Sequence, residues 1–80
     1  MPEVFRKFGF SFFFFSREHE PIHIHVEGND GYAKFNWNSI EFCMEFSEGI
    51  KVNDLKKIKD EIQKHKDDII KKWNEHFGYE

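Results

Sequence analysis

The strongest constraint on this chain is an alternation. From Ile22 to Glu27, residues Ile22, Ile24 and Val26 share one parity, and His23, His25 and Glu27 share the other. An extended strand sends successive side chains to opposite faces, so this segment buries its aliphatic half as one side of a sheet. Gly28-Asn29-Asp30-Gly31 follows, and Tyr32 to Trp37 then alternates in the same way. An Asp-Gly step between two alternating strands marks a hairpin. Centring the loop on Asn29-Asp30 sets His25 opposite Lys34 and His23 opposite Asn36. Centring it on Asp30-Gly31 slides the partners by two residues and preserves the parity. Either way one face holds Ile22, Ile24, Val26, Ala33, Phe35 and Trp37, and the other holds His23, His25, Glu27, Tyr32, Lys34 and Asn36.

The neighbouring segments extend this sheet. Val4-Phe5-Arg6 suits a short edge strand, with Pro2 where a missing backbone donor does no harm, and Gly9 allows a turn. In the run Phe10 to Phe15, residues Phe10, Phe12 and Phe14 take one face while Ser11, Phe13 and Phe15 take the other. Such a strand is expected to be central or covered on both sides. Ser16 to Pro21 breaks the pattern and reads as a loop, because Pro21 disfavours helical geometry in Glu20. Beyond the hairpin, Ile40, Phe42, Met44 and Phe46 alternate with Glu41, Cys43 and Glu45, so all four apolar residues are expected on the core side.

The periodicity then changes. Leu55, Ile58 and Ile62 recur at helical spacing, and Ile69, Ile70, Trp73 and Phe77 continue the stripe. Asn53 suits an N-cap, Asp54 suits the positive helix end, and Gly78 suits the stop. An unbroken helix from Asp54 to Phe77 would be about 36 Å long, more than a small sheet can cover, so a break is expected between Lys64 and Asp67. The expected fold is α+β: an antiparallel sheet of four or five strands over about residues 3–46, packed on one face by one or two C-terminal helices over about residues 53–77. Residues 1–80 are expected to form a single domain.

Composition narrows the class. A chain of 80 residues exposes much of its surface and needs a dense core, which eleven phenylalanines and two tryptophans can supply. The single cysteine, Cys43, excludes an internal disulfide and points to a reducing compartment, so a cytoplasmic location is expected. The longest apolar run, Phe12 to Phe15, is far shorter than the roughly 20 residues of a membrane helix, and Met1 to Lys7 lacks a signal-peptide layout. No membrane partner is expected. The formal net charge of -3 argues against tight non-specific nucleic-acid binding. Lys57, Lys64 and Lys71 would form a basic stripe on an unbroken helix, but interspersed acids such as Asp60 and Asp68 make a solvated surface the better account.

Taken together, several motifs resemble the small bacterial proteins of the domain-of-unknown-function 4160 family. They are the opening Met-Pro, the aromatic run Phe10 to Phe15 with Ser16, Glu18 and His19, and Pro21, His23, His25 and Val26. The Asp30-Gly31 turn with Ala33, Lys34 and Phe35 follows, then Trp73-Asn74 and Phe77-Gly78. The family often carries two prolines before the first histidine of the His-x-His motif, where this chain has Pro21 and Ile22. The resemblance implies no established activity. It implies one half of a two-gene module, beside another small domain, of toxin-antitoxin character, and hence a protein partner encoded by a neighbouring gene.

Three chemical readings of the histidine-bearing face remain open. As a metal-independent ribonuclease, His23 and His25 would stand roughly 7 Å apart along the strand and exchange protons as base and acid. Lys34 or Arg17 would then hold the phosphate. As a metal site, His19, His23 and His25 with Glu18 would bind zinc or another divalent ion through a His-x3-His-x-His cluster. A plainer account has the histidines facing water or fixing the loop before them. Cys43, flanked by Glu41 and Glu45, lacks the positive surroundings that activate a thiolate. Phe13 and Phe15 matter more: if their face is uncovered, it is an apolar patch that marks a partner or homodimer surface, or a stacking platform for RNA bases.

Overall fold

The computed structural model describes residues 3–15 and 22–78. These residues form five strands, β1 (Glu3–Lys7), β2 (Phe10–Phe13), β3 (His23–Glu27), β4 (Tyr32–Trp37) and β5 (Phe42–Glu48), followed by helices α1 (Val52–Lys64) and α2 (Lys66–Phe77). The sheet is antiparallel throughout and its strands lie in chain order. Tight turns produce that order. Phe8 and Gly9, with φ of 56° and 80°, join β1 to β2, the positive pair that matches the twist of a two-residue hairpin. Gly28 donates to the carbonyl of Gly31 at 2.9 Å between β3 and β4. Before β5, the Asn38 carboxamide oxygen accepts from the amides of Ile40 and Glu41 at 2.9 and 2.8 Å.

The aliphatic and aromatic residues of one parity form the core. Phe12, Ile24, Val26, Ala33, Phe35 and Phe42 from the sheet, with Phe14 just beyond β2, meet Ile58 and Ile62 of α1 and Ile69 and Trp73 of α2. Each helix supplies its pair at a spacing of four, which puts both side chains on one face. Burying an aliphatic residue of this size is worth about 1.5–3 kcal/mol. A helix running unbroken over residues 52–77 would be about 39 Å long, whereas the longest extent of the molecule is 35 Å. The break falls at His65, whose φ and ψ of -107° and 14° leave the helical region. Its ring packs on Phe5 at 4.5 Å. Gly78 ends α2 in the left-handed conformation with φ 79°. The break also removes the alignment of Lys57, Lys64 and Lys71.

Two expectations are corrected. The alternation of β5 does not put all four apolar residues on the core side. Ile40 lies before the strand and is 74% exposed. The ladder then slips between Lys34 and Phe35, so Phe35 faces Met44 while Lys34 faces Phe46. Glu45 is the extra residue of this bulge, and an extra residue inverts the parity of everything after it. Phe46 therefore leaves the core side and stands on the outer face. The helix, for its part, begins at Val52 after an extended Lys51, with no side-chain cap from Asn53. Close approach of two backbones sets that point. A Cβ on Gly31 would collide with the carbonyl oxygen of Glu48, and one on Gly49 with that of Asp30.

An ion pair ties the helical layer to the sheet. The Lys7 ammonium lies 2.5 Å from a carboxylate oxygen of Glu61, which is 2% exposed. The hydrogen bond from Lys7, reinforced by its charge, holds the Glu61 carboxyl below its ordinary value. A lowered folded-state pKa adds stability that is complete above the ordinary carboxylate range and is lost as the pH falls through the lower folded value. Urea denaturation at pH 7 and pH 3 is therefore expected to show a smaller acid loss in Lys7→Met than in the unaltered chain; equal losses would contradict it. Ile62→Ala is expected to cost about 2–5 kcal/mol. Ile40→Ala, off the strand, is expected to stay within about 0.5 kcal/mol. Gly31→Ala is expected to cost about 1–3 kcal/mol by overpacking.

Candidate functional site

The outer face of the sheet is built by the cross-strand register. One row runs Phe13, His25, Lys34, Phe46 across β2 to β5, and beside it runs Ser11, Glu27, Tyr32, Glu48. A third row pairs His23 with Asn36 and Asn36 with Cys43. The observed ladder is the one in which His25 faces Lys34 and His23 faces Asn36. Neighbouring rows on one face are about 7 Å apart along the strands.

Aromatic rings dominate this face. Phe13 stacks on His25 at 5.4 Å, Phe15 meets His25 edge-on at 4.9 Å, and Phe13 and Phe15 are 5.4 Å apart. Across the sheet, Tyr32 and Phe46 pack edge to face at 5.5 Å. Between the two groups lies a hollow of about 290 Å³ lined by Phe13, Phe15, His25, Glu27, Tyr32 and Phe46. Phe15, Tyr32 and Phe46 remain 47%, 42% and 37% exposed. Among the described residues no helix covers this side, because the apolar stripes of both helices are spent on the core.

Charge surrounds the hollow. The Asn36 amide donates to Glu45 at 2.6 Å and Lys34 lies 3.5 Å from the same oxygen. With His23 also near, these contacts hold the Glu45 carboxyl below its ordinary value. The bulge that expelled Phe46 thus also aims Glu45 at Lys34. Arg6 is paired with Glu3, whose carboxyl is lowered first by the hydroxyl of Ser11. The charge of Glu48, together with its hydrogen bond from Tyr32, pushes the Tyr32 hydroxyl up.

The candidate residues read from the sequence fall unevenly on this face. His23 and His25 are close, with ring centroids 5.1 Å apart, but only His25 lines the hollow. His23 is 4% exposed and its ring lies edge-on to Trp73 at 4.9 Å. A pair of water-facing imidazoles is therefore corrected to one buried ring and one half-buried ring. The reason is position: His23 and Phe14 stand at the same end of the sheet, where Trp73 touches both. Lys34 stands opposite His25, with its charge met by Glu45. Arg17, Glu18 and His19 lie outside the described residues. Among the described residues no group of three or more His, Cys, Asp or Glu stands close enough to hold a metal ion. Phe46, Glu45 and Glu48 were missed at the level of sequence, since nothing local announces a bulge. Cys43 is exposed and accepts from the Asn38 side chain at 3.3 Å.

The fold and this face define a small α+β domain, a five-stranded meander with helices on one side and an aromatic, carboxylate-rimmed surface on the other. The family model for Domain of unknown function (DUF4160) matches residues 9–74, and the chain belongs to that family. No curated protein and no solved structure matches the chain. No helix among the described residues is long and apolar enough to cross a membrane.

The two histidines are expected to separate in a stability measurement. His23→Ala empties a buried site and is expected to lower the unfolding free energy by about 1–3 kcal/mol, whereas His25→Ala is expected to cost under about 1 kcal/mol. Equal costs in urea titrations would contradict the placement of these rings.

Proposed function

We propose that this protein works by binding another protein through the outer face of its sheet, as one member of a two-gene module of toxin-antitoxin type in the cytoplasm. The observation that carries the reading is the cluster of exposed rings on the side away from the helices. A contiguous apolar surface with a polar rim is the signature of an interaction site, and aromatic residues around a hollow supply the anchoring pocket such interfaces use. A lone cysteine, Cys43, is in keeping with a reducing compartment. RNA cleavage by His23 and His25 is the weaker reading, because a base or acid must reach the substrate and His23 is closed off against Trp73. The pairing with a neighbouring gene rests on the family resemblance.

Co-expression with the product of the adjacent gene, followed by size-exclusion chromatography with light scattering, is expected to give a complex of fixed ratio. Phe46→Asp is expected to abolish the complex while lowering the unfolding free energy in urea by no more than about 2 kcal/mol, the loss of its packing on Tyr32 included. Expression of one member alone is expected to slow growth, and expression of both to restore it. Separate elution of the two proteins, with growth unaffected by either, would rule the reading out.

A further inference from the structure

The row beside the hollow specifies more than a greasy patch. Glu27, Tyr32 and Glu48 are direct cross-strand neighbours on β3, β4 and β5, so two carboxylates flank one phenol ring at strand spacing, about 5 Å to either side. Among the described residues, Glu3 and Glu45 have basic partners on this face, Arg6 and Lys34, and Glu27 and Glu48 have none. Counted over the described residues, the surface around the hollow is therefore acidic on balance. Charge complementarity selects the occupant. A cation placed between Glu27 and Glu48 sits over Tyr32, where the ring also attracts it.

We infer that the outer face docks a basic amphipathic helix of a protein partner: one apolar side chain enters the hollow between Phe13 and Phe46, and an arginine or lysine one turn away lies between Glu27 and Glu48 over Tyr32. The dimensions agree. Residues three or four apart on a helix lie about 5–6 Å from one another, close to the roughly 7 Å between the row of the hollow and the acidic row. The docked helix adds a third layer, matching on this side the cover that α1 and α2 provide on the other.

A second copy of this chain fits poorly. Two outer faces brought together about a two-fold axis present the same acid-rich surface from both sides, so neither copy brings the excess of basic groups that charge complementarity calls for. The lysine-bearing helices of another copy offer charge with little to anchor it, since Ile58, Ile62, Ile69 and Trp73 are all buried in their own core and Val52, at the first turn of α1, is the large apolar residue they leave exposed. This inference rests on the protein-partner reading and narrows it to the chemistry of the partner.

The test uses the full chain, labelled with nitrogen-15, and two designed helical peptides sharing one leucine stripe, one with arginine and lysine on its remaining surface and one with glutamate. The basic peptide is expected to perturb the amide resonances of Phe13, Tyr32 and Phe46. Its affinity is expected to fall about tenfold in the exposed-site double variant Glu27→Gln/Glu48→Gln, and to fall again with added salt. The glutamate peptide is expected not to bind. Equal binding of both peptides, perturbations confined to the helices, no binding of either, or self-association that perturbs the same residues would each overturn the inference. Its failure is distinguishable from that of the broader reading: a complex with the adjacent gene's product that Phe46→Asp destroys and Glu27→Gln/Glu48→Gln leaves intact keeps a protein partner and removes the basic helix.

Discussion

Two helices of thirteen and twelve residues can cover one face of a five-stranded sheet, and this chain has apolar side chains on both. Strand pleating forces that division, because Phe12 cannot turn inward without sending Phe13 outward. On the helical side, Ile58, Ile62, Ile69 and Trp73 close over Phe12, Phe14, Ile24, Val26 and Phe35 until every one of these residues is at most 1% exposed. On the other side, among the described residues, the rings pack on one another. Phe13 is buried by its neighbours, while Phe15, Tyr32 and Phe46 keep a large share of their surface. The small size of the domain, which leaves little chain to spare for a second cover, thus leaves these outer rings partly open.

The joints that hold this arrangement are few and local. The turn between β3 and β4 lies so close to the end of β5 that side chains at Gly31 and Gly49 would strike the opposing backbone. That contact fixes where the chain leaves the sheet and where α1 begins. Lys7 reaches Glu61 from the end of β1, anchoring α1 over the first hairpin. At His65 the helix breaks and its ring settles on Phe5, letting α2 turn back across the sheet so that Trp73 meets Phe14 and His23.

The histidines illustrate how one motif can serve two ends. His23 behaves as part of the aromatic packing between β3 and α2. His25, two residues on, belongs to the outer surface, held between Phe13 and Phe15. Their rings touch, so the buried and the open aromatic clusters form one continuous network through β3. A change at the outer face is therefore in physical contact with the core through this pair of rings.

Much of the architecture was determined by the sequence. The two-residue alternation from Ile22 to Trp37, the Asp30-Gly31 step and the helical spacing from Leu55 to Phe77 each act over a few residues, so strand phase and helical segments are legible locally, while the helix break follows from the length of the stripe against the size of the sheet. His25 faces Lys34 in one of the two registers these signals allow, and the observed ladder selects it. Tertiary structure decided the rest. The bulge at Glu45 arises from fitting β5 against β4, and it moves Phe46 from the core side to the outer face while turning Glu45 toward Lys34 and Asn36. The burial of His23 depends on Trp73, fifty residues later in the chain. Neither effect has a local signal, because both come from how separate elements meet, and the hollow with its acidic border exists only after they have met.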